Sequence, residues 1–187
     1  MNLLNNHIVY LAGSIEHSAD NGMGWREEFK QKSKLMGLNL AFLDPTHKPS
    51  NLTSETNKEK LFWMDLRNSE KYDELTSFVK NTRRIDLRMV DLSSFVIAYI
   101  DPDVPSVGTT DEIIIAERQK KPVLAIIKRG KKKANLWHFA IIKHREMFDT
   151  IDECLDYLKL INSGNITPDN RWIFLHNHLF PSNYNIS

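Results

Sequence analysis

Apolar and polar positions along the chain fall into two alternating patterns. Ile8-Val9-Tyr10-Leu11-Ala12 is a short, unbroken apolar run that stops at Gly13. A run of that kind predicts a strand buried on both faces. Between Gly24 and Met36, Trp25, Phe29 and Leu35 recur among charges at roughly helical spacing, and Gly37 ends the pattern. This predicts a helix with a glycine stop. Leu38 to Leu43 is a second apolar run, closed by Asp44-Pro45, which breaks any regular element. Residues 46–58 are polar and read as an exposed loop. Helical patterning resumes from about Lys60 to Val90, as two helices with a break between Asn68 and Asp73. Phe95 to Ile100 reads as a third strand, Thr110 to Lys120 as a helix, and Pro122 to Ile127 as a fourth strand. Asn135 to Lys143 reads as a short helix, Met147-Phe148 as a short fifth strand, and Ile151 to Ile161 as a closing helix. Thr150 with Glu153 three residues on is a capping box for that last helix.

Continuous apolar strands alternating with helices imply an α/β fold, Rossmann-like or flavodoxin-like. Its parallel five-stranded sheet carries helices on both faces. The expected organisation is one domain over residues 1–187, with a core from about 7 to 162 and a C-terminal extension from 163 to 187. Asn165 to Ser187 holds Trp172, Phe174, Phe180 and Tyr184. That is too apolar for a free tail, so it is expected to pack on the domain or on a neighbouring subunit. Open parallel sheets bind ligands beyond the carboxyl ends of their strands. The rule selects Gly13 to Gly24, Asp44 to Asn57 and Asp101 to Glu112.

Composition narrows the partners. Of the 187 residues, 41% are hydrophobic and 26% charged, with 25 Lys+Arg against 24 Asp+Glu and a formal charge of +1. That balance argues against a protein that coats nucleic acid. The basic run Lys128 to Lys133 reads as a solvated loop, with phosphate contact as the other reading. A single cysteine, Cys154, leaves no internal disulfide and no cysteine-cluster metal site, and is read as core. The histidines lack metal-ligand spacing, so no metal and no cofactor is expected. No apolar run approaches a membrane span, and the first residues lack signal-peptide character. A soluble, cytoplasmic protein is the expectation.

Two segments carry most of the candidate chemistry. In Gly108-Thr109-Thr110-Asp111-Glu112, Thr109 and Glu112 have capping-box spacing. The same geometry supports a second reading. A carboxylate in the first helical turn feels the positive end of the helix dipole and stays ionised. Above the strand ends it would be an anionic nucleophile, suited to a sugar C1′ of oxocarbenium character. In Tyr10-Leu11-Ala12-Gly13-Ser14-Ile15, Gly13 and Ser14 form either a plain strand-to-loop turn or a close backbone approach to a ligand. Along Arg83 to Leu92, Arg84 and Arg88 read as surface pairs, whereas Asp86 or Asp91 can reach the crevice.

Taken together these segments resemble the nucleoside 2-deoxyribosyltransferase superfamily, over roughly residues 7 to 150. Tyr10 to Ile15 resembles its first-strand segment, and Ile85-Asp86-Leu87 its aspartate-bearing helix. Gly108 to Ile113, followed by Ala116 and Lys121-Pro122-Val123, resembles its glutamate helix and next strand, and Asn135-Leu136 its Asn-Leu segment. The resemblance implies Glu112 as nucleophile, Asp86 holding and helping to protonate the base, and Tyr10 positioning the nucleophile or the sugar. It implies Asn135 near the sugar hydroxyls across a subunit interface, hence a homo-oligomer. Gly13, Ser14, Ile15, Asp44, Ser106, Gly108 and Thr109 complete the expected substrate-binding set. The chain departs from the transferases where they carry a second acid six residues before the nucleophile, since Ser106 stands there. Gly13-Ser14-Ile15 also resembles the phosphate-holding turn of the related deoxynucleoside-monophosphate N-hydrolases. The implied function is cleavage or exchange of the N-glycosidic bond of 2′-deoxynucleosides or deoxynucleotides. The alternatives are a deoxynucleoside 5′-monophosphate N-glycosidase and a non-catalytic nucleotide-binding sensor.

Overall fold

The computed structural model describes residues 2–18, 20–48 and 57–175. Five strands, β1 (Ile8–Gly13), β2 (Ala41–Leu43), β3 (Phe95–Ile100), β4 (Val123–Ile127) and β5 (Met147–Phe148), form one sheet in the order β2-β1-β3-β4-β5. Every pairing is parallel, with Val9 opposite Phe95 and Ala98 opposite Ala125. This is the flavodoxin-like order, with its switch beside β1 and β3. The helices are α1 (Met23–Leu35), α2 (Asn57–Asn68), α3 (Tyr72–Leu92), α4 (Val107–Arg118), α5 (His138–Ile141) and α6 (Ile151–Ser163). No helix among the described residues is long and apolar enough to cross a membrane.

The strands are apolar throughout because both faces of the sheet are covered. Val9, Leu11, Phe95, Ile97, Leu124 and Ile126 pack with Trp25 and Phe29 of α1 and with Leu155, Leu158 and Ile161 of α6. Cys154 lies in this core, where burial pushes its thiol up and keeps it protonated. On the other face, Tyr10, Ala12, Val96, Ala98 and Ala125 pack with Val90 of α3 and with Ile113 and Ala116 of α4. The alternation along each strand therefore decides which side chains meet α3 and α4.

Most of the predicted elements are present at the predicted places, including the break between α2 and α3 and the Thr150 cap of α6. Two differ. The second strand is confined to Ala41–Leu43, because Leu38 to Leu40 is taken up by turn hydrogen bonds back to Ser33 and Leu38 before pairing with Ile8 begins. The loop expected to be exposed over 46–58 includes Lys48, whose side chain is fully buried against Asp86; residues 49–56 lie outside the described residues. The C-terminal segment does pack on the core as far as it is described. Trp172 is fully buried and lies 5.2 Å from the Phe95 ring, and Phe174 lies 4.5 Å from the His7 ring. Glu146 receives Arg171 (3.1 Å) and the Trp172 indole N–H (3.4 Å). Phe180 and Tyr184 lie outside the described residues.

Candidate active site

A buried arginine shapes the carboxyl end of β1. Arg26 of α1 donates to the carbonyls of Leu11 (3.2 Å), Gly13 (2.9 Å) and Gly22 (2.7 Å). Its guanidinium also lies 4.7 Å from the centre of the Trp25 ring. These bonds tie the end of β1 to the start of α1, and so fix where the Gly13-Ser14 turn points. Gly13 is required by packing: a Cβ there would fall 2.8 Å from Trp25 Cζ2. Gly22 is required by backbone, at φ +70, with Ser14 O only 2.4 Å from where its Cβ would be. Asp20 accepts from the N–H groups of Gly22 (2.9 Å) and Gly24 (2.7 Å), which settles the start of α1.

Asp44 belongs to this scaffold. It is buried, 3.6 Å from Arg26 Nε and 2.6 Å from Lys30 Nζ, and accepts from Thr46 N and Oγ1. Burial pushes its carboxyl up, but the Lys30 and Thr46 hydrogen bonds and the Arg26 charge outweigh that and hold it below the usual carboxylate range. Asp44 is not among the cavity-lining residues. Glu27, Asp44 and His47 bring ligand atoms within 4.8 Å of one another. Lys30 already supplies the cation there, 2.8 Å from Glu27 and 2.6 Å from Asp44.

Beyond the strand ends, between the β1 turn, α2, α3 and α4, lies a cavity of about 660 Å³. That is the size of small-molecule sites. Gly13, Ser14, Ile15, Asp86, Ser106, Gly108, Thr109 and Glu112 all line it. Beneath it, Tyr10 on β1 is fully buried, and its hydroxyl donates to Glu112 Oε1 at 2.6 Å. Burial, and then the charges of Glu112 and Asp86, push the Tyr10 phenol well above its ordinary range. It stays protonated and remains a donor to the carboxylate. Asp91 instead accepts from Gln119 (2.7 Å).

The start of α4 differs from the expected capping box. Ser106 is the N-cap: its Oγ accepts from Thr109 N at 3.3 Å and lies 2.5 Å from Thr109 Oγ1. The cap therefore lies three residues before Thr109, the helix begins at Val107, and Glu112 sits in its second turn. The carboxylate is oriented by Tyr10 rather than by the first-turn dipole. Gly108, in the first turn, has nothing within 4 Å of where its Cβ would be. No packing demand explains this glycine, and the space beside it opens on the cavity. Asn135 lies elsewhere: it is exposed, and its Oδ1 accepts from Trp137 N at 2.9 Å.

Sequence reasoning missed the far wall. Trp63 and Met64 of α2, with Leu75, Val79 and Leu87 of α3, give the cavity an apolar side. Phe62 and Phe78 lock the two helices together edge to face, at 5.1 Å. Arg83 forks onto Asp111 (2.7 and 3.2 Å), tying α3 to α4 beside the site. Lys48, 2.7 Å from Asp86 Oδ1, was hidden in a stretch that reads as polar loop. The helical pattern from about Lys60 onward was visible, but nothing in it tells a core stripe from a cavity wall. A second cavity of about 250 Å³ lies on the other side of Ser14, lined by Asp20, Tyr99, Asp101 and Lys128 among others. Its Lys128 is paired with Asp101 at 2.7 Å.

No family model matches the chain, and no curated protein matches it in sequence. Among solved structures, it is similar to the 2-deoxyribosyltransferase of the psychrotolerant bacterium Bacillus psychrosaccharolyticus. The identity is 15% and the TM-score 0.54, over 80% of this chain and 91% of that one. It is also similar to a conserved protein from Enterococcus faecalis V583, at 14% identity and TM-score 0.56, over 83% of this chain and 99% of that one. With its five-stranded parallel sheet in the order β2-β1-β3-β4-β5, the chain has the fold of the 2-deoxyribosyltransferase-like α/β proteins.

Proposed function

We propose that the protein is an N-glycosyl-transfer enzyme that cleaves or exchanges the base of a 2′-deoxynucleoside or deoxynucleotide, with Glu112 as the nucleophile. The observation that carries this reading is the buried Tyr10–Glu112 hydrogen bond of 2.6 Å. It underlies a nucleoside-sized cavity that also holds Asp86, Gly13-Ser14 and the start of α4. Tyr10 grips one carboxylate oxygen and so sets the plane of the other. That oxygen attacks C1′ while the C1′–N bond breaks and its electron pair leaves with the base nitrogen. The nitrogen takes a proton from water, directly or through Asp86. A glycosyl ester on Glu112 results. An acceptor base or water then attacks C1′ and releases the carboxylate. The apolar wall of Trp63, Met64 and Leu75 suits the flat face of a base.

One observation favours a 5′-monophosphate as substrate. The first turn of α4 carries no acid, and Ser106 and Gly108 open on the cavity beside Ser14. Helix N-termini and small residues of this kind accept phosphate oxygens. In this version the second step uses water, and the enzyme is an N-glycosidase.

Incubation with a panel of 2′-deoxynucleosides and their monophosphates, with and without free adenine, tests both versions. Base release or exchange is expected, and Glu112→Ala should lower it by at least about a thousandfold. Activity that survives Glu112→Ala sinks the assignment of the nucleophile. Product formed without an added base marks hydrolysis.

A further inference from the structure

Lys48 plays no part in the chemistry above, yet its pairing with Asp86 bears on which base the site takes. Lys48 lies five residues beyond the end of β2, and its side chain is fully buried. Its ammonium is 2.7 Å from Asp86 Oδ1, and Asp86 lines the cavity while Lys48 does not. Away from water an ammonium at this distance acts with little screening, and favours the carboxylate over the carboxylic acid. A carboxylate can only accept hydrogen bonds, whereas a carboxylic acid can also donate one.

We propose that Lys48 is a positioning residue that sets base preference: it holds Asp86 as an acceptor, so that the site selects bases presenting an amino group over their oxo counterparts. The inference rests on the reading of this cavity as a nucleoside site. An exocyclic amino group of a 6-aminopurine or 4-aminopyrimidine gives Asp86 a donor. A carbonyl at the same position brings oxygen lone pairs against a charged oxygen with no proton between them, which a desolvated site penalises. The same charge state makes Asp86 a holder of the base rather than its acid, so the leaving nitrogen draws its proton from water. A purely structural role, tying the chain after β2 to α3, predicts no such preference.

The test compares binding by calorimetry and base release for deoxyadenosine against deoxyinosine, and for deoxycytidine against deoxyuridine, each as the nucleoside and as its 5′-monophosphate. The proteins are the wild type, Lys48→Arg and Lys48→Met. The wild type should favour the amino member of each pair by about 10- to 100-fold. Lys48→Arg keeps the charge and should keep the direction of the preference. Lys48→Met frees Asp86 to take a proton and donate it to a carbonyl, so the ratio should collapse towards one or invert. Should Lys48→Met fail to fold, Lys48→Gln removes the charge at similar length and carries the same comparison. An unchanged ratio in the neutral variant, or no amino preference in the wild type, overturns the proposal. If the wild type binds nucleosides but releases no base, the enzymatic reading fails and the binding ratios still judge Lys48. If it binds none, both fail.

Discussion

Two buried cation–carboxylate pairs lie near the carboxyl end of the sheet, and they are built differently. Arg26–Asp44 is enclosed by protein: the guanidinium spends its N–H groups on the carbonyls of Leu11, Gly13 and Gly22, and Asp44 is covered by Lys30 and Thr46. Lys48–Asp86 is buried to a similar depth, but its carboxylate lines the cavity. The first pair finishes a strand end and orients a turn. The second presents its carboxyl group to whatever enters. Burial alone does not distinguish a scaffold pair from a site pair; what the carboxylate faces does.

Removal of the scaffold cation breaks the comparison most severely. Arg26→Met leaves the carbonyls of Leu11, Gly13 and Gly22 without their side-chain donor and takes away one of the two cations beside Asp44. It should cost about 3–5 kcal/mol in chemical denaturation, while the molecules that remain folded keep the wild-type ratio of amino to oxo bases. A loss of stability below about 1 kcal/mol would show that the pair does not bear the fold. Next in size is Tyr10→Phe, on the cavity side. It removes the donor to Glu112 without removing the ring, so base release should fall by about 10- to 100-fold, with stability changed by about 1 kcal/mol. Equal activity would mean that Glu112 is held by other contacts.

The smallest effect is a pH signature of the scaffold. The carboxyl of Asp44 is depressed in the folded state, so the unfolded chain binds its proton first as pH falls. Its stabilising contribution is complete above about pH 4, the ordinary aspartate range, and is lost as pH falls through the depressed folded value. Stability should therefore rise with pH in that acidic window for the wild type, and rise less in Asp44→Asn. Parallel curves for the two proteins would contradict the assignment.

The contrast also explains what the sequence could disclose. Strands announce themselves by unbroken apolar runs, and β1, β3 and β4 are covered on both faces for that reason. Gly13, Ser14, Asp86, Gly108 and Glu112 are legible because they follow strand ends or lie on helices beside them, and the fold brings such positions together. Lys48 is invisible by the same logic. A lysine among polar residues reads as solvated, and only the pairing with a residue 38 positions later on α3 buries it. The start of α4 was ambiguous because Ser106 and Thr109 both have capping chemistry. The choice falls to Ser106 while Glu112 is engaged with Tyr10, 102 residues away. Arg26 was missed because nothing in a charged amphipathic helix marks the one guanidinium that turns inward to cap a strand.

The C-terminal aromatic turn gives the molecule a division of labour. Trp172 and Phe174 bear on Phe95, the first residue of β3, and Phe174 on His7 just before β1. This is the end of the sheet where strands enter; the cavity lies where they leave. The chain thus fastens its foundation at one pole and keeps its cavity at the other, with the length of the strands between them. Packing at the aromatic pole can be recast, as in a campaign to raise thermal tolerance, without redrawing the walls of the cavity.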